Sequence, residues 1–152
     1  SLTQPISMPV NVDLPLAVGI PADYIADQDL RLRLYRRIAD LRDETEIDAL
    51  TAEFRDRFGG LPEMLANLFY QMRVKLRAEK AGLVAVNMEA GQLLLKYAAP
   101  AEGSEVRRLP DLGNGIRGGR SAYWVMVAKD EVWTVKLLDV LSQIAGGKQV
   151  NM

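Results

Sequence analysis

The stretch from Asp23 to Pro62, DYIADQDLRLRLYRRIADLRDETEIDALTAEFRDRFGGLP, constrains this chain more than any other. It reads as two amphipathic helices joined by a short turn and closed by Gly59-Gly60-Leu61-Pro62. Asp27 is a good N-cap for the first helix, predicted to run to about Leu41. Leu30, Leu34, Ile38 and Leu41 recur at helical spacing and form one apolar stripe. Arg31, Arg33, Arg36, Arg37 and Arg42 spread over the remaining surface. They suit either a solvated face whose stems lie on apolar neighbours or contact with phosphates. The second helix is predicted to start at Thr45, with Asp48 answering weakly as in a capping box. Ile47, Leu50, Phe54 and Phe58 make its buried stripe, while Glu46, Ala49, Glu53 and Asp56 share a face beside it. Gly59 suits the left-handed turn after a helix, and Pro62 suits the first turn of the next.

The flanks give the fold class. Residues 1–9 carry Pro5 and Pro9 and read as a linker or frayed end. Val10–Val18 alternates like a strand, with Pro15 ending it or holding it at a sheet edge. Leu65, Leu68, Phe69, Met72 and Leu76 define a third helix over Pro62–Ala81, whose cations Arg73, Lys75, Arg77 and Lys80 suit its C-terminal dipole. Beyond Gly82 the period becomes strand-like: Leu83–Met88 and Gln92–Tyr97 flank Glu89-Ala90-Gly91 as a hairpin. Pro100–Gly119 is loop-rich, with room for a short strand at Glu105–Leu109; Ser121–Val127 is a strand. Asp130 is placed to cap a last helix carrying Trp133, Leu137, Val140, Leu141 and Ile144, stopped by Gly146-Gly147. The prediction is an α+β fold: an N-terminal strand and three helices, a small antiparallel sheet, and a closing helix. Residues 10–147 form one domain in this reading, with a polar tail at 148–152.

What the chain lacks narrows its chemistry. It has no histidine and no cysteine, which excludes Ser–His–Asp and Cys–His nucleophilic sites and the usual zinc sites. A net charge of -1 gives no global pull toward nucleic acid or membrane. No apolar run approaches the roughly 20 residues of a membrane-spanning helix. No signal peptide opens the chain, and a start without methionine reads as an excised domain. A cytoplasmic setting follows as the expectation, with no cofactor, no metal and no small-molecule substrate.

Gly113-Asn114-Gly115-Ile116-Arg117-Gly118 formally fits G-x-G-x-x-G. A dinucleotide site needs that run between a strand and a helix N-terminus; here a strand follows, so an inter-strand loop is predicted. There is no G-x-x-x-x-G-K-[ST] run either. Glu53 and Asp56, three apart on a helix, are either solvated carboxylates or an acidic docking patch for a partner's arginines. Trp124 and Trp133 read as core residues.

Three elements in order, IPADYI at 20–25, RLRLYRRIA at 31–39 and DRFGGLP at 56–62, resemble the C-terminal domain of the bacterial transcription-repair coupling factor. The resemblance covers roughly residues 11–82 and is weaker beyond Gly82. It implies a non-catalytic regulatory part of an ATP-driven DNA translocase, which removes stalled RNA polymerase from DNA and recruits UvrA. It implies that the domain masks a UvrB-like module of the same polypeptide until activation, with acidic residues late in the second helix facing that module's arginines. The matching positions here are Glu53 and Asp56, with Glu46 and Arg57 at the margin. The rival reading is a nucleic-acid- or polymerase-binding module that uses the basic helices.

Overall fold

The computed structural model describes residues 9–103 and 108–150, the last four of these as backbone only. Among them it has four helices and five strands, an α+β fold. They fall into two compact units, one of residues 15–76 and one of the described residues among 9–14 and 77–150.

The first unit is helical: α1 (Gln28–Ala39), α2 (Glu44–Phe58) and most of α3 (Glu63–Ala81). Asp27 caps α1 as predicted, accepting bonds from the N–H groups of Asp29 and Leu30. The N-cap of α2 is Asp43, not Thr45. Asp43 Oδ1 accepts from the Glu46 N–H at 2.9 Å, and the Glu46 carboxylate accepts from the N–H groups of Asp43 and Arg42. Asp43 prevails because Glu46 stands three residues on and answers it, whereas a cap at Thr45 would leave the preceding N–H groups unmet. Thr45 instead donates its hydroxyl to Asp43. Gly59 closes α2 with a φ of 93°, which costs glycine little.

The apolar stripes meet as predicted. Leu34, Ile38, Ile47, Leu50, Phe54, Leu65, Phe69, Met72 and Leu76 share one core, with Leu30, Leu41, Phe58 and Leu68 packed around it. Phe54 is fully buried and meets Phe58 and Phe69 edge to face at centroid distances of 5.7 and 5.5 Å. Tyr24, in the turn before α1, packs edge-on against Phe58 and donates its hydroxyl to the Gly59 carbonyl at 2.8 Å.

The second unit holds a five-stranded sheet in the order β1-β2-β3-β5-β4. Its strands are β1 (Asn11–Asp13), β2 (Ala85–Glu89), β3 (Gln92–Lys96), β4 (Ile116–Gly118) and β5 (Ala122–Met126). The sheet is mixed rather than wholly antiparallel, because β1 runs parallel to β2, pairing Val12 with Val86. A strand separated from its neighbour by three helices is free to return in that sense. β1 is only three residues, ending ahead of Pro15. On the central strand β3, Leu93, Leu94 and Leu95 are all buried, so both faces of the sheet are covered there.

Three sequence expectations need correction in this unit. β4 lies inside the segment read as a loop, and pairs Ile116 with Val125. Three residues between glycines are too few to show a strand period. The last helix, α4 (Trp133–Val150), starts three residues after Asp130 and runs through Gly146-Gly147. The carboxylate that organises its approach is Glu131, which accepts from the Ala128 N–H and Lys136. Glycine costs a helix about 1 kcal/mol but keeps its N–H, so unlike proline it need not end one. Trp124 is partly exposed, its ring faced by the Arg117 guanidinium at 4.9 Å. Most of the strand considered at Glu105–Leu109 lies outside the described residues.

Two stability tests follow. Phe54→Ala is expected to destabilise the helical unit by about 3–5 kcal/mol in urea unfolding, the cost of emptying a well-packed aromatic site. Ala90 sits at φ 50° and Gly91 at φ 76°, the two positions of a type I′ hairpin turn. Ala90→Asn should therefore raise stability, by roughly 0.5–1 kcal/mol, because asparagine tolerates the left-handed region better than alanine.

Candidate functional site

A charged cleft in the helical unit lies between α1 and α2. Arg37, Asp40 and Leu41 come from α1 and the turn after it, and Glu46, Ala49, Leu50 and Glu53 from α2. The cleft encloses about 380 Å³. Only residues 40–43 separate the helices, and Arg37, Asp40 and Leu41 at the end of α1 lie beside Glu46–Glu53 in the body of α2. Leu41, Ala49 and Leu50 supply apolar lining and the carboxylates a polar rim.

Glu53 is the electrostatic centre. Arg37 grips it with both forks: Nη1 donates to Oε2 at 2.7 Å and Nη2 to Oε1 at 3.0 Å. Arg57, one turn further along α2, donates to Oε2 at 3.3 Å while its guanidinium lies 4.8 Å from the Phe58 ring centre. The hydrogen bonds from Arg37, with its charge and then Arg57, pull the Glu53 carboxyl from about 4.5 down to about 2, against a smaller opposing effect of burial.

The predicted site residues are therefore not equivalent. Glu46, Ala49 and Glu53 do share the groove face. Glu46 is committed to the helix cap, so it shapes the groove more than it offers a free carboxylate. Asp56 is exposed one turn beyond, and no ion pair among the described residues holds it. Arg57 is a partner of Glu53 rather than a separate feature. Asp48, assigned to a capping box from sequence, instead pairs with Arg73 of α3 at 2.6 Å, and Arg73 also reaches Glu44 at 2.8 Å. That clamp, more than the helix dipole, accounts for Arg73.

Sequence reasoning missed Arg37, Asp40 and Leu41 as groove residues. The available signal was position: Arg37 adjoins buried Ile38 at the margin of the stripe, on the side a short connection turns toward α2. Of the arginines on helix one, Arg31 donates to the Ile25 and Ala26 carbonyls and Arg37 to Glu53. Arg33, Arg36 and Arg42 are exposed, with no ion pair among the described residues. The glycine run at Gly113–Gly118 ends in β4, and the next element is the strand β5, so the run does not open a helix as a dinucleotide loop does. No group of three or more acidic residues among the described residues is arranged to hold a metal ion. No helix among the described residues is long and apolar enough to cross a membrane.

The described residues thus form an α+β fold that carries a guanidinium–carboxylate groove between α1 and α2. The TRCF domain family model matches residues 14–107, more than half of the chain, and the chain belongs to that family. It is 34% identical over 91 residues to the transcription-repair-coupling factor of Rickettsia bellii, covering 60% of this chain and 8% of that protein. To the factor of Mycobacterium tuberculosis it is 39% identical over 77 residues, covering 51% of this chain and 6% of that protein. The chain thus spans less than a tenth of the length of these curated relatives. In fold it is similar to the crystal structure of a C-terminal domain of transcription-repair coupling factor. The TM-score is 0.72 at 18% identity, covering 95% of this chain and 98% of that one. The chain carries no ATPase motif of its own.

The ion pair makes a pH prediction. A depressed carboxylate adds stability that is present above its unfolded value, near 4.5, and is lost as pH falls from there toward 2. Carbon-detected NMR titration of the Glu53 carboxyl should give a midpoint near 2, and Arg37→Ala should move it clearly upward. A Glu53 midpoint that ignores Arg37→Ala would contradict the geometry.

Proposed function

We propose that this domain is a non-catalytic, autoinhibitory module of a transcription-repair coupling factor. On this reading the parent is an ATP-dependent DNA translocase of the bacterial cytoplasm, engaging DNA, stalled RNA polymerase and UvrA. The domain covers the UvrA-binding surface of the parent's UvrB-like module until polymerase is engaged. Family membership supports the parent's identity, and the names of the relatives support its place in repair coupled to transcription.

The observation that carries the docking reading is the guanidinium seated bidentately on Glu53 in an open groove. It demonstrates a carboxylate on α2 that accepts an arginine fork, with Asp56 one turn on as a second, exposed acid. Arginine–carboxylate contacts give orientation and specificity with modest affinity, as a mask that must come off requires. The basic-helix alternative is weakened by Arg31 and Arg37, whose guanidinium groups are turned to partners within the chain.

The test is binding of this chain to the separately purified UvrB-like module of its parent by calorimetry. Glu53→Arg with Asp56→Arg is expected to weaken binding at least about tenfold, because like charges then meet, while a cooperative thermal transition persists. Loss of that transition would make the pair structural. Salt-steep DNA binding by the wild-type chain, without binding to the module, would favour the nucleic-acid reading instead.

A further inference from the structure

We infer that Arg37 is a built-in competitor at the docking groove: it occupies the Glu53 carboxylate that a partner's arginine must take, and so holds the affinity of the groove below its limit. The inference rests on the docking reading above and concerns the regulation of that same site.

Both oxygens of Glu53 are engaged by one fork, at 2.7 and 3.0 Å. A carboxylate has spare lone pairs, but a second bidentate fork needs the same edge. A partner arginine can therefore approach Glu53 only by displacing Arg37 or by accepting a poorer, single bond. Arg57 is the lesser obstacle, since it donates one bond, at 3.3 Å, and lies over Phe58.

Displacement is feasible because the pair is half in water. The side chains of Arg37 and Glu53 are 50% and 37% exposed. Exposed pairs contribute little, so opening this one lowers affinity by only a few-fold. The released Arg37 also has somewhere to go. Asp40 stands one turn on, exposed and lining the same cleft. The incoming side chain can lay its stem on Leu41, Ala49 and Leu50, as arginine stems do on apolar surface. Its guanidinium then meets Glu53, with Asp56 beyond. The ligand chemistry is thus an arginine side chain on a protein surface, exchanged for an internal one.

The experiment compares five chains against the UvrB-like module: wild type, Arg37→Ala, Arg37→Gln, Arg33→Ala and Glu53→Arg. Removing the competitor should tighten binding by about two- to fivefold, the size of an exposed ion pair. Arg37→Gln keeps the stem and should tighten binding to a similar extent. Arg33→Ala removes the same charge from α1 without touching Glu53, and should change affinity by less than about twofold. The gain from Arg37→Ala should shrink in high salt. If wild type binds, Glu53→Arg abolishes binding and yet neither Arg37 variant tightens it, the competitor idea is wrong while the docking reading stands. Equal tightening by Arg33→Ala would also overturn it, by reducing the effect to bulk charge. If no chain binds the module, the docking reading fails and this inference fails with it.

Discussion

The helical unit depends on the burial of Phe54. Its ring is fully buried, and it meets Phe58 and Phe69 edge to face, so it ties the end of α2 to α3. Tyr24 joins the same aromatic group through Phe58 and anchors Gly59 through its hydroxyl. This packing fixes the rotation of α2 about its own axis. Once that rotation is fixed, Glu53 must stand on the margin next to α1, and the groove follows. The polar contacts refine a geometry that the apolar stripe has already chosen.

Within that frame the charged residues divide by exposure. Arg73 is mostly shielded and clamps Glu44 and Asp48, at the N-terminal end of α2. Arg37 and Glu53 are half in solvent and hold the open side of the α1–α2 pair. The first arrangement resembles a structural staple, because a shielded, doubly bonded guanidinium is hard to replace. The second is exchangeable, because water and other charges compete for it on nearly equal terms. A surface that must bind and release is better built from the second kind.

Much of this was legible in the sequence, for definite reasons. Leu34, Ile38, Ile47, Phe54 and Phe69 recur at helical spacing, and that recurrence alone places three helices and their buried faces. The Ala90-Gly91 turn fixes its hairpin. The parts that were not legible depend on partners far away in the chain. The parallel pairing of β1 with β2 is settled by a strand more than seventy residues later, as Asn11 against Ala85. β4 borrows its extended form from β5. The cap of α2 is the exception: Glu46 stands three residues after Asp43, a local signature that the reading at Thr45 passed over. The acidic face of α2 was visible as periodicity, but the arginine that occupies it belongs to another helix, and a single-helix projection cannot show it.

The low titration of Glu53 bears on how such a groove could be controlled in a cell. With that carboxyl near 2, and no histidine or cysteine anywhere in the chain, shifts in acidity near neutral pH or in thiol redox state find little to act on. What remains is ionic strength, which screens half-exposed charges over about 8 Å at physiological salt, and the local supply of competing guanidinium groups. For a groove tethered to its own partner, that supply is set by the geometry of the parent chain rather than by concentration in solution. Such a contact would answer to mechanical rearrangement, not to metabolic chemistry.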